Sequence, residues 1–321
     1  CAKEGIVVFN TPGANANAVK ELVLAGLLMS SRDVTAAIDW AKTLRGEEQV
    51  AKKVEAGKAA FTGPEIMGKT LGIVGLGAIG ALVANAAISL GMEVYGFDPF
   101  ISVDAAWGLK SAVNKAKSLE ELVSKSDYIS VHVPLMDATR GMINTELITK
   151  MKDDVRILNF SRAELVDDDS IEAALASKKV AKYVTDFPNE RTVAMEGVIA
   201  IPHLGASTPE SETNCAKMAV KQMMDYLEFG NIVNSVNYPD ASLGGLDAVS
   251  RVCVLHKNVP NMVGQITSTL AAHNMNIQDM LNKSKKEYAY TMIDLESEVT
   301  DAVASELTKI DGVLKVRILK A

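Results

Sequence analysis

Apolar and polar positions come in short blocks whose rhythm changes along the chain. "GIVVFN" (5–10) reads as a short buried strand, and "TPGANA" after it as a turn broken by Pro12 and Gly13. From Ala16 to about Lys58 the spacing is helical. Its first part, "AVKELVLAGLLMSSRDV", is apolar almost all round, as in a helix buried in a core or an interface. "KTLGIVGLGAIGALVANAAISLGMEVYGFDP" (69–99) reads as strand, glycine turn, helix and strand. Four more apolar runs of strand length follow: "YISVHVPL" (128–135), "RILNFS" (156–161), "AKYVTDF" (181–187) and "GVIAIPHL" (197–204). Helical patterns precede the first three of them, "SLEELVSKS", "TELITKMK" and "DDSIEAALASKK". Strands alternating with helices predict an α/β fold, a doubly wound parallel sheet.

The rhythm then changes. "TPESETNCAKMAVKQMMDYLEFGN" predicts a helix with Thr208 as N-cap, Pro209 at its first position and Gly230 at its end. "SVNYPDASLGGLD" (235–247) has the composition of a linker. Residues 250–321 run strand-helix-strand-strand-helix-strand, the order of a small α+β ferredoxin-like domain.

Composition narrows what such a chain can do. Of 321 residues, 48% are apolar and 23% charged, enough for a sizeable core. The net charge of −7 argues against nucleic acid as a partner, because phosphate backbones require a basic footprint. Cys1, Cys215 and Cys253 have neither metal-ligand spacing nor an even count, which fits a reducing cytoplasm and predicts no metal. No apolar run approaches the length of a membrane span.

Candidate chemistry lies at strand ends, where doubly wound sheets bind ligands. Gly75, Gly77 and Gly80 form G-x-G-x-x-G between a strand and a helix, and Asp98 closes the next strand. In that context the string is a dinucleotide fingerprint. Gly75 makes the turn, Gly77 admits the pyrophosphate, and Gly80 lets helix pack on strand. The amides around Ala78 and Ile79 then face the phosphates. Asp98 would accept from the ribose hydroxyls and repel a 2′-phosphate, so NAD is expected over NADP. Three further polar groups end strands: Arg162, Glu190 and His203. A guanidinium can hold a carboxylate, an imidazole can take a hydroxyl proton, and a carboxylate can fix the imidazole tautomer. Together they describe oxidation of a 2-hydroxy acid.

The stretches "VVFNTPGANANAVKELVLAGLL", "GKTLGIVGLGAIG", "HVPLMDATRGMIN", "ILNFSRAELVDD", "TDFPNE", "IPHLGAST" and "SVNYP" resemble the D-isomer-specific 2-hydroxyacid dehydrogenases from residue 5 to about 240. The resemblance is to the branch that oxidises 3-phosphoglycerate to 3-phosphohydroxypyruvate, opening serine synthesis. It implies a Rossmann-like domain over 16–203. Residues 1–15 would be a remnant of the substrate-binding domain and 204–240 a helix returning to it. The roles it implies are substrate orientation for Arg162, support of the histidine for Glu190 and acid/base work for His203. Phe160, Ser161, Leu204 and Gly205 would line the nicotinamide side, Val133 and Pro134 the adenosine side, and Asn10, Gly13, Asn15 and Arg162 the substrate. The family has Asp-Val-Phe where this chain has Thr185-Asp186-Phe187, so either Thr185 or Asp186 meets the nicotinamide amide. Family members carry more of the substrate-binding domain ahead of "GIVVFN", so poor turnover is expected of this chain.

The tail, 250–321, resembles serine-binding ACT domains. That implies L-serine as effector at His256 and Asn258, on the loop after the first strand, and at Asn276 beyond the helix. Asn261 stands where such loops have glycine. The family implies a homodimer or homotetramer. Another D-2-hydroxyacid dehydrogenase, or a non-catalytic NAD-sensing protein of the same fold, would present these same residues.

Overall fold

A computed structural model of the protein describes residues 1–320. The chain forms two compact units, one of Asn15–Glu212 and one joining Cys1–Ala14 to the residues from Thr213 onward.

The larger unit opens with α1 (Ala16–Arg32), α2 (Val34–Thr43) and α3 (Val50–Gly57). The long helical pattern is therefore three helices, broken at Asp33 (φ 45°) and around Gly46 (φ 81°). α1 buries Ala16, Val19, Val23 and Leu27 on one stripe, while Leu28 stays 47% exposed. Gly26 on that stripe lies against the Phe160 ring, where an added Cβ would come within 2.8 Å.

The sheet and its crossovers follow as β1 (Thr70–Val74), α4 (Ala78–Ser89), β2 (Glu93–Phe97), α5 (Val103–Trp107), β3 (Val113–Lys115), α6 (Leu119–Lys125) and β4 (Tyr128–Val131). Next come α7 (Thr145–Thr149), β5 (Val155–Asn159), α8 (Asp168–Ala176), β6 (Val180–Thr185) and β7 (Val198–Ala200). All strand pairs are parallel, in the order β3-β2-β1-β4-β5-β6-β7. The order reverses between β1 and β4, which opens a crevice beyond their C-terminal ends. Every residue of β1 and β4 is buried, so these strands read as continuous apolar runs rather than alternations. Ser118, Asn144 and Asp167 each accept a backbone N–H in the first turn of α6, α7 and α8. α9 (Pro209–Phe229) starts as its sequence predicts, with Thr208 Oγ1 accepting from Ser211 N at 3.1 Å.

The smaller unit contains β8 (Ser250–Lys257), α10 (Met262–Ala272), β9 (Ile277–Lys285), β10 (Tyr288–Leu295), α11 (Asp301–Lys309) and β11 (Val313–Lys320). Its sheet is antiparallel in the order β11-β8-β10-β9, the ferredoxin-like arrangement expected. α10 and α11 cover one face through Met262, Ile266, Leu270, Val303 and Leu307, and Ile232 and Tyr238 pack on the other. Arg251, fully buried in β8, grips Asp294 with Nε and Nη2. It also donates to the carbonyls of Phe229, Gly244 and Gly245.

One expectation fails, and two elements went unread. "GIVVFN" forms no strand: it makes one bridge, Phe9 to Ser235, and Ile6 is 49% exposed. Its neighbouring segment turns at Asn234 (φ 59°), so the pairing stops before it can become a ladder. Conversely, α5 and β3 went unread because both are short and largely solvent-facing. Among the described residues no helix is long and apolar enough to cross a membrane.

Candidate active site

The fingerprint turn joins β1 to α4. Gly75 has φ 89°, a conformation that L side chains rarely adopt, and an added Cβ would stand 2.6 Å from the His132 carbonyl oxygen. At Gly80 a Cβ would come within 2.0 Å of the Gly75 carbonyl oxygen, so helix and strand approach too closely for any side chain. Gly77 differs: a Cβ there would meet nothing within 4 Å. The space above it is open to a ligand. Gly77 is also the N-cap of α4 and provides no side-chain cap, so the amides of Ala78 and Ile79 remain available for an anion.

Asp98 follows β2. Its Oδ2 accepts from Leu76 N and its Oδ1 from Phe100 N, each at 2.8 Å. A carboxylate has about four acceptor sites, so both oxygens can still receive ribose hydroxyls. The acid thus shapes the turn and remains able to bind. Beside it lies a cavity of about 470 Å³, lined in part by Leu76, Phe97, Pro99, Ile101 and Leu109. The chain supplies here an anion cradle, an acid for the ribose and an apolar hollow, a set that fits NAD. Val133 and Pro134 lie just past the end of β4, the first half-buried and the second exposed.

Arg162, Glu190 and His203 follow β5, β6 and β7, three neighbours in the sheet. Arg162 is exposed; its Nη1 donates to the Ser161 carbonyl at 2.6 Å, and its guanidinium stands 5.4 Å from the centroid of the Phe187 ring. Asn159, fully buried, donates to the Arg162 carbonyl and so fixes the turn that presents it. His203 is exposed, and its ring lies 4.3 Å from that of Phe187. Glu190 is exposed, and no hydrogen bond joins it to His203. The tautomer-fixing contact expected from the sequence is therefore not made in this conformation, because Glu190 sits out on the loop after Pro188.

The acid closest in character to a site residue is Asp186. It is 1% exposed, and its Oδ1 is buried without a partner, while its Oδ2 faces Gly205. Burial pushes its carboxyl above the ordinary range; the charges of His203 and Arg162 pull it back down. Thr185 has its hydroxyl oxygen engaged by Phe187 N at 3.1 Å. Of the two candidates for the nicotinamide amide, Asp186 is the one with an oxygen that has no hydrogen-bond partner among the described residues. The Phe160 ring points into the core against Gly26, which leaves only its backbone for a ligand. Ser161 donates to the Val131 carbonyl; Leu204 is 48% exposed and Gly205 buried.

Sequence reasoning passed over His132, at the end of β4. Its Nε2 meets Ser130 Oγ at 2.8 Å, and its Nδ1 is buried without a partner. Burial pushes its pKa down to about 4, so the ring is neutral at pH 7. The signal was a polar residue inside an apolar run. Among the substrate candidates, Asn10 Oδ1 accepts from Thr11 N, Gly13 has φ 81°, and Asn15 is the N-cap of α1 without a side-chain cap.

The domain family of D-isomer specific 2-hydroxyacid dehydrogenase, NAD binding domain, matches residues 24–205, which include the fingerprint and all three strand-end groups. The chain belongs to this family. This 2-hydroxyacid dehydrogenase is 31% identical over 98% of its length to D-3-phosphoglycerate dehydrogenase of Haemophilus influenzae, of which it covers 76%. To D-3-phosphoglycerate dehydrogenase of Escherichia coli K12 it is 32% identical over 99% of its length, covering 77% of that protein. Among solved structures it resembles the cofactor (NAD+)-bound 3-phosphoglycerate dehydrogenase of Entamoeba histolytica, with 30% identity and TM-score 0.56, over 72% of this chain and 68% of that one. It also resembles D-lactate dehydrogenase from Aquifex aeolicus complexed with NAD and lactic acid, with 26% identity and TM-score 0.59, over 75% and 76%. As a member of this family the dehydrogenase is an NAD-dependent oxidoreductase.

In the smaller unit, two of the three regulatory candidates lie on loops. His256 does not: it is the penultimate residue of β8 and only 2% exposed, with Nε2 at 2.8 Å from Thr291 Oγ1 and Nδ1 at 2.8 Å from the Lys257 carbonyl. His256 lies inside β8 rather than on a loop because β10 pairs with the strand through Lys257 and β11 up to His256. Asn258 and Asn276 are exposed and donate to Lys286 O and Glu296 Oε2. Asn261 takes φ 61°, the left-handed geometry that its replacement of glycine requires, and its Oδ1 lies over Gly264.

Proposed function

We propose that this dehydrogenase oxidises D-3-phosphoglycerate to 3-phosphohydroxypyruvate, the first step toward L-serine. The observation that carries the reading is the placement of Arg162 and His203 beyond the ends of β5 and β7, either side of β6, against one aromatic ring, on the sheet that bears the fingerprint. The choice of substrate is supported by the relatives named above, which resemble the chain over nearly all its length.

The chemistry follows from the groups present. Arg162 has donors left beyond the one used on Ser161, and it holds the substrate carboxylate by a charge-assisted fork. His203, with no side-chain hydrogen bond among the described residues, takes the hydroxyl proton as the C–H bond at the same carbon gives up a hydride. When bound, NAD supplies the hydride acceptor. Asp186 offers its unpartnered oxygen to the carboxamide of the nicotinamide, and Glu190 is the carboxylate assigned to the imidazole. Serine feedback is proposed to act through Asn258 and Asn276, the two exposed candidates of the smaller unit.

The test is NADH formation by the full chain with D-3-phosphoglycerate, D-lactate and D-glycerate, together with the reverse reactions. The reading expects the highest kcat/KM with the phosphorylated substrate. Equal or better rates with lactate or glycerate would move the enzyme to another branch of the family. NAD binding with no turnover of any 2-hydroxy acid would favour a sensor.

A further inference from the structure

We infer that Phe187 is a positioning residue for the reaction: its ring is the common surface that sets the Arg162 guanidinium and the His203 imidazole relative to one another. This inference rests on the reading of Arg162 as the carboxylate-holding group and His203 as the proton acceptor.

The sheet explains why this residue can do it. β6 lies between β5 and β7, and Phe187 stands two residues beyond the end of β6. Arg162 leaves from β5 on one side, and His203 from β7 on the other. Neighbouring strands are about 4.8 Å apart, so a side chain from the middle exit can reach both flanking ones. The contacts are in place: 4.3 Å between the His203 and Phe187 rings, inclined at 43°, and 5.4 Å from the guanidinium to the Phe187 centroid.

Little else restrains the two reacting groups. Both are exposed. Arg162 makes one side-chain hydrogen bond, to the adjacent Ser161 carbonyl, and His203 makes none among the described residues. Phe187 itself is held from behind. Its amide donates to the buried Thr185 hydroxyl, Asp186 is buried before it, and Pro188 after it confines its backbone to extended conformations. The platform is therefore firmer than the groups resting on it.

An aromatic ring suits both partners. Its face attracts a cation, and the flat guanidinium and the imidazole can each stack on it. The spacing also has chemical meaning. In a 2-hydroxy acid, the carbon that loses hydride is bonded directly to the carboxylate carbon. The carboxylate anchor and the proton acceptor must therefore converge on adjacent atoms, and a small error in their separation misplaces the hydroxyl.

The experiment compares the parent with F187L and F187Y on the full chain. Each is assayed for NADH oxidation with 3-phosphohydroxypyruvate and pyruvate, for NADH affinity by fluorescence titration and for Tm. In addition, the His203 ring-proton resonance is assigned through its disappearance in H203N. In F187L we expect kcat/KM to fall roughly 100-fold, as misplacement of reacting groups by an ångström produces, with NADH Kd and Tm close to parental. The His203 resonance, shifted upfield by the ring in the parent, moves downfield in F187L. F187Y restores both the rate and the resonance. A parent-like rate in F187L overturns the inference, and so does a fall in NADH affinity in step with the rate or an unmoved resonance. If F187L fails to fold, F187Y decides: a rate as low as that of H203N overturns the inference, and a parent-like rate and resonance support it. A parent that turns over no 2-oxo acid overturns the functional reading itself, whereas turnover unchanged by F187L removes this inference alone.

Discussion

At the residue scale, the glycines of one turn are predicted to fail in different ways. Gly77→Ala adds a methyl group that meets no protein atom, so Tm should hold while NADH affinity drops. Gly80→Ala forces a methyl group against the Gly75 carbonyl, so Tm itself should fall. Thermal melts and NADH titrations of both variants separate the two effects; equal loss of Tm in the pair would contradict the assignment of the space above Gly77. His132 makes a prediction in pH. Its folded pKa of about 4 lies below the ordinary value of 6.5, so the unfolded chain binds the proton more tightly. The stability it contributes is complete above pH 6.5, declines as the pH falls toward 4, and amounts to on the order of 3 kcal/mol. Urea unfolding of parent and His132→Gln across pH 4–7 should show a smaller acid loss in the variant. Neither His132 nor Phe187 was legible as important in the sequence. A lone polar ring in an apolar run does not announce whether it has a partner, and an aromatic residue in "TDFPNE" reads as core until the neighbouring strands bring Arg162 and His203 to it.

At the element scale, what was legible followed from burial on both sides. β1, β4 and β5 are mostly apolar and buried along nearly their whole length because helices cover both faces of the sheet, and helical patterns between them were visible in the sequence. β3 was hidden because it is three residues long with two of them exposed. "GIVVFN" misled for the opposite reason: it has strand composition but no partner long enough to pair with. The fingerprint was legible because its meaning lies in local backbone geometry, while the lack of contact between Glu190 and His203 depends on loop conformation. In the smaller unit the Arg251–Asp294 pair is predicted to dominate. Asp294→Asn leaves a buried guanidinium without its counter-charge and should cost about 3–5 kcal/mol, measurable by chemical denaturation. A cost under 1 kcal/mol would mean that the carbonyls of Phe229, Gly244 and Gly245 suffice to hold Arg251.

At the scale of the whole molecule, two compact units with separate cores predict two calorimetric transitions. NAD at a hundredfold excess over its Kd should stabilise the unit bearing Gly75–Gly80 by about 2.7 kcal/mol and leave the other in place. Asp294→Asn should do the reverse. A single transition that both perturbations move would show that the units unfold as one. The strand order has a further consequence, for the time course of synthesis. β1 is paired with β2 on one side and with β4 on the other, and β4 ends only at Val131. The fingerprint turn is thus complete in sequence long before the ribosome has delivered β4 and, just past its end, His132, whose carbonyl backs Gly75. A nascent chain halted near residue 100 would carry every glycine of the nucleotide motif yet lack the wall behind it, and should not retain NADH until some thirty more residues have emerged.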